Sequence, residues 1–90
     1  MEKNTIKVTS SGFKFSLKPD VLDDWHIVEL LRKIDEGESQ YIFDVAPLLL
    51  GTKQYEALQK FLQKREGKVK FTSMVREIGE IMNSQQNLKN

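Results

Sequence analysis

Asp20-Val-Leu-Asp-Asp-Trp-His-Ile-Val-Glu-Leu-Leu-Arg-Lys-Ile34 is the stretch whose spacing decides the fold class. At roughly 100° per residue, Ile27, Leu30, Leu31 and Ile34 fall on one face, as in an amphipathic helix. Leu22 and Trp25 project from its first turns toward a different side. The spacing predicts a central helix, met by one element near its start and by others along its length.

Upstream, Ile6 and Val8 alternate with Lys7 and Thr9, and Phe13, Phe15 and Leu17 alternate with Lys14, Ser16 and Lys18. Ser10-Ser11-Gly12 lies between the two runs. Period-two alternation on both sides of a glycine-containing turn predicts a β-hairpin over about residues 5–18, with one apolar and one lysine-bearing face. An isolated hairpin is barely stable in water, so Phe13, Phe15 and Leu17 must cover something, and Leu22 and Trp25 are the nearest partners. Pro19 closes the strand because it has no N–H for the ladder. Asp20, Asp23 and Asp24 then place negative charge at a helix N-terminus, where the macrodipole favours it. That helix is expected to run to about Glu36 and stop at Gly37.

Downstream, Tyr41-Ile-Phe43 is strand-like in composition, yet Asp44 suits a helix cap with Pro47 in the first turn. A short helix to Leu50 is the favoured reading. Gly51 serves as its C-terminal stop and Thr52 caps the next helix. From Lys53 to Arg65, Tyr55, Leu58, Phe61 and Leu62 share a face, while Glu56, Gln59, Lys60 and Gln63 take the other. After Arg65-Glu-Gly-Lys68, a last helix carries the stripe Phe71, Met74, Val75, Ile78, Ile81 and Met82, with Arg76, Glu77 and Glu80 opposite. Residues 83–90 read as a polar disordered tail. The expected architecture is mainly α: an N-terminal β-hairpin followed by about four helices in a small single-domain bundle over residues 1–82.

With 90 residues, the chain has room for one domain that buries about 60% of the surface its unfolded form exposes. Such a core is modest, and self-association would stabilise it. A net charge of +1 gives no global pull toward nucleic acid or anionic membranes. The absence of cysteine excludes a disulfide scaffold, a thiol nucleophile and thiolate metal sites. Met1-Glu-Lys-Asn4 leads into no apolar signal core, and the longest apolar run, Val45 to Leu50, is too short for a bilayer. A soluble, unprocessed protein without a membrane partner is expected.

Chemistry-bearing residues are sparse. His26 is the only histidine; it lacks the further ligands of a metal site and the nucleophile of a general base, and it reads as a surface residue. The aspartates before the central helix read as dipole complement rather than a cation loop. Lys64, Arg65, Lys68 and Lys70 invite a helix-turn-helix reading, but the connection is long for that motif and Glu66 dilutes the patch, so solvated loop charge is favoured. The glycines show no phosphate-cradling spacing. The residues nominate no catalytic, cofactor-binding or metal-ligating group, and an enzyme is not expected. What remains is apolar surface: by periodicity, Phe13, Phe15, Met74, Ile78 and Met82 are the partner-facing candidates.

Several motifs in order carry a family resemblance. The hairpin is followed by Leu22-Asp-Asp-Trp25 opening a helix, then Leu48-Leu-Leu-Gly-Thr-Lys-Gln-Tyr-Glu-Ala-Leu58, Glu66-Gly-Lys-Val69, Ile78-Gly-Glu-Ile81 and a polar end with Lys89-Asn90. Over most of its length the chain resembles the tail assembly chaperones of long-tailed (siphovirus-type) bacteriophages; His26 stands where an acidic residue is frequent. The resemblance implies a non-enzymatic role in the cytoplasm of the bacterial host. There such a chaperone, self-associating, binds and solubilises the tape measure protein and leaves before the virion is finished; release follows if tail tube subunits compete for the same surface. It also implies a longer frameshifted product. Leu88-Lys-Asn90 is compatible with slippery codons, and the gene sequence tests this directly. Two alternatives remain, a structural tail or head accessory protein and a small DNA-binding regulator.

Overall fold

A computed structural model describes residues 6–86. Residue 5 of the expected hairpin and residues 87–90 of the expected tail lie outside them. Strands β1 (Lys7–Val8) and β2 (Lys14–Phe15) pair antiparallel. Their turn is closed by the Thr9 N–H on the Phe13 carbonyl and the Gly12 N–H on the Thr9 carbonyl, both 2.9 Å. Phe13, Phe15 and Leu17 are buried as their alternation predicts, but Ile6 and Val8 stay 68% and 56% exposed. The register explains the difference. Lys7 lies opposite Phe15 and Val8 opposite Lys14, and directly paired residues share a face. A shift of one residue sends a strand's whole apolar set outward. Lys7 follows the inner face instead, and its Nζ donates to the Ser84 carbonyl at 3.2 Å.

The central stretch begins with a 3-10 turn, Val21–Asp23, and helix α1 covers Trp25–Asp35. Of the three aspartates at its start, Asp24 caps it, accepting from the N–H groups of His26 (2.9 Å) and Ile27 (3.3 Å). Ile27, Leu30 and Leu31 are buried, and Leu22 and Ile34 pack against the core. The later start has one large consequence. Trp25 becomes the first helical residue and stands 79% exposed, away from the hairpin it was expected to meet.

After a second 3-10 turn (Ser39–Tyr41), helix α2 runs Ile42–Glu66, and α3 covers Phe71–Gln86. There are three helices rather than about four, because the two expected on either side of Gly51 join into one element with a kink at that residue (φ 84°, ψ 157°). Asp44 is not its cap but lies in its first turn, and Pro47 sits farther inside, with no N–H for the Phe43 carbonyl four residues earlier. Helix α3 continues to Gln86, so the first part of the expected tail is helical. Asn83 and Ser84 belong to it, and the Ser84 hydroxyl donates to the Ile81 carbonyl at 2.7 Å. Helix α2 packs on both α1 and α3. The long kinked helix, not α1, is therefore the central element. Val45, Leu58, Leu62, Ile78 and Ile81 are wholly withdrawn from solvent in one continuous core that includes the hairpin side chains. Among the described residues no helix is long and apolar enough to cross a membrane.

Candidate functional site

Of the partner-facing candidates, Phe13, Phe15, Met74 and Ile78 are buried in that core, and Met82 is half-buried against it. The fold brings them into one cluster and shuts all but Met82 from solvent. Phe13 meets Phe61 with ring centroids 5.5 Å apart. A domain this small spends its periodic large side chains on its own interior.

The apolar surface left over is elsewhere. Phe43, in the first turn of α2, is 64% exposed, and Phe71, the first residue of α3, is 45% exposed. Their rings stack at 5.9 Å with an interplanar angle of 28°. Together with Ile42, Tyr55, Val69 and Met74 they line an open, apolar cavity of about 220 Å³. Phe43 also borders a wider depression that includes Tyr41, Pro47 and the half-exposed Leu48, with His26, Glu29 and Lys33 at its edge. Lys33 places its ammonium 5.0 Å from the centre of the Tyr41 ring. Lys68 and Lys70 flank Val69; both are exposed and neither forms an ion pair among the described residues.

This ridge depends on the kink. In a straight α2, Phe43 would stand roughly 34 Å from Glu66 at about 1.5 Å per residue, and the five residue steps from Glu66 to Phe71 reach back at most about 18 Å. Ring contact between Phe43 and Phe71 therefore requires the first part of α2 to fold back at Gly51. Periodicity could have found Phe43 once the segment was granted as helix, because Ile42, Val45, Ala46 and Leu49 take the buried face and leave Phe43, Pro47 and Leu48 off it.

A polar cluster fastens the hairpin turn to α3. The Ser10 N–H and hydroxyl donate to the two carboxylate oxygens of Glu80 at 2.7 and 2.6 Å. These two bonds lower the Glu80 pKa, with a smaller contribution from Arg76 and partial desolvation opposing them. The Ser11 hydroxyl donates to Oε2 of Glu77, and Arg65 donates to the Ser11 carbonyl at 3.1 Å. Glu77, expected on the solvent face, is fully buried; its Oε1 has no hydrogen-bond partner, and Arg76 Nη2 lies 3.8 Å from its Oε2. Arg65 is thus engaged in the fold rather than free on a basic patch. Asp20, Asp23 and Asp24 surround a shallow depression with Lys18, and no group of three or more His, Cys, Asp or Glu among the described residues is placed to hold a metal ion.

No known protein family, curated protein or solved structure matches this chain.

Proposed function

We propose that the chain is a non-enzymatic docking domain that covers an apolar helical segment of another polypeptide, acting as a phage tail assembly chaperone on the tape measure protein in the host cytoplasm. The observation that carries the docking reading is the exposed, stacked Phe43–Phe71 pair over an apolar cavity. Exposed aromatic side chains beside such a cavity offer large contact area at low entropic cost, and an amphipathic helix lays its apolar stripe into such a groove. The identity of the client rests on the resemblance of the sequence motifs. The docking surface, in this reading, is the ridge on α2 and α3, whose cavity Met74 helps to line, rather than Phe13, Phe15, Ile78 and Met82. Release follows if tube subunits compete for the client's apolar stripe.

Co-expression with the tape measure polypeptide tests the proposal. Its soluble yield is expected to rise several-fold with this chain and to fall back with the Phe43→Ser/Phe71→Ser variant, whose own thermal transition stays cooperative. A tape measure equally soluble with and without the chain would remove the chaperone reading. Unchanged rescue by the double variant would remove the ridge as its surface.

A further inference from the structure

Trp25 is the most exposed large apolar side chain among the described residues, at 79%, and it borders none of the cavities around it, the Phe43–Phe71 cavity included. Three carboxylates precede it within five residues, and none is in an ion pair among the described residues. Asp24 is committed to capping α1, which leaves Asp20 and Asp23, both exposed; Lys18 shares their depression, and the three carboxylates outweigh its one positive charge. The cavity between Phe43 and Phe71 presents the opposite arrangement: a mainly apolar socket whose Val69 is flanked in the chain by Lys68 and Lys70, neither in an ion pair among the described residues, against the single carboxylate of Asp44 beside Phe43. An acidic aromatic knob and a basic apolar socket on one chain complement each other in both shape class and charge.

We propose that Trp25 of one copy enters the Phe43–Phe71 socket of a second copy, with Asp20 and Asp23 meeting Lys68 and Lys70. The socket is completed by a residue that its own copy does not supply. A tryptophan contact of about 150–250 Å² is well below the roughly 800 Å² per partner of a standard stable interface. The association is therefore weak, exchangeable and dependent on concentration. Because knob and socket are different patches, the contact either closes reciprocally in a dimer or propagates head to tail. It stands whether or not the proposed client exists and is read with this chain alone.

Trp25 is the only tryptophan in the sequence, so its fluorescence reports the contact directly. On concentrating the full chain to about 1 mM, a range that detects even millimolar dissociation constants, its emission is expected to shift to the blue as sedimentation shows larger species. High salt should reverse both changes. Asp20→Lys/Asp23→Lys and Lys68→Glu/Lys70→Glu each associate at least tenfold more weakly, and Trp25→Ser does the same. All five positions are exposed, and circular dichroism confirms folding of each variant. Mixed in equal amounts, the two charge-reversed variants regain association, because each knob again meets an opposite socket. A monomer at every concentration, an oligomer indifferent to Trp25→Ser, or a mixture of the charge variants that stays monomeric overturns the proposal.

Discussion

Replacing Gly51 by alanine is expected to destabilise the domain, although no atom stands in the way. An added Cβ there would meet nothing within 4 Å, so the cost arises in the backbone. A φ of 84° with ψ of 157° lies in a region that is essentially restricted to glycine, and forcing a side chain into it costs about 1–3 kcal/mol. Escape by straightening is no cheaper. It would carry residues 42–50 off the core, where Val45, Ala46, Leu49 and Leu50 are all buried. Gly79 provides the control. It is exposed inside α3, and its added Cβ likewise meets nothing; there alanine should stabilise by about 0.5–1 kcal/mol. At about 4–8 °C per kcal/mol for a domain of this size, the Tm should fall by at least about 4 °C for Gly51→Ala and rise by a few degrees for Gly79→Ala. Thermal unfolding followed by far-ultraviolet circular dichroism reads both. A Gly51→Ala protein as stable as the parent would refute the strained kink and, with it, the account of how α2 is folded back.

Ser11→Ala deprives the buried Glu77 of its hydroxyl donor and should cost about 1–3 kcal/mol; urea unfolding measures it, and the loss should largely vanish in a Glu77→Leu background. Gln54 brackets the outer edge of β2 like a neighbouring strand, its Oε1 accepting from the Ser16 N–H and its Nε2 donating to the Ser16 and Leu50 carbonyls, each at 2.8 Å. Gln54→Ala should therefore cost about 1–3 kcal/mol and speed amide exchange at Ser16; unchanged exchange there would refute the bracket. The Glu80 carboxyl titrates below its ordinary value of 4.5 because Ser10 donates to its charged form. Its contribution is thus fully present above that value and lost as pH falls through the lower, folded one. Tm measured downward from about pH 5 should decline less steeply in Glu80→Gln than in the parent.

The hairpin and the helical character of the chain were legible, because these runs carry strong periodicity and glycine or proline punctuation, but the helix count was not: the helices expected on either side of Gly51 form one kinked element, and α3 runs on into the expected tail. Which way some side chains face was not legible either. The apolar pair Ile6 and Val8 has the same alternation as Phe13 and Phe15, and only the pairing of Lys7 with Phe15 decides that they cannot share a face. Three aspartates are candidates to cap α1, and burial of Val21 in the preceding 3-10 turn coincides with Asp24, the last of them, taking the role. Glu77 has the helical phase of Met74 and Ile81, both buried. Its charge argued for the solvent side, but the hairpin turn supplies a hydroxyl that only the folded chain brings near. Of the residues that periodicity nominated for a partner, Phe13, Phe15 and Ile78 lie in the interior and Met74 both packs in the core and lines the Phe43–Phe71 cavity, because periodicity reports what a helix or strand buries without saying against which chain.

The aromatics that stay outside share one local cause. Trp25, Phe43 and Phe71 each occupy the first or second position of a helix. Helical side chains lean toward the N-terminus and cover the preceding turn; in the first turn there is no preceding turn to lie on, so a ring there overhangs the helix end. The start of α1 leaves Trp25 standing alone. The starts of α2 and α3 are instead brought together by the bend at Gly51, and two overhanging rings become a stacked pair with a cavity beneath. Stability and the proposed docking surface then depend on the same backbone dihedral. A substitution that relaxes Gly51 toward helical geometry should separate Phe43 from Phe71 even where the remaining core holds, which makes loss of that ring contact in a folded Gly51 variant the link between the fold and the proposed binding.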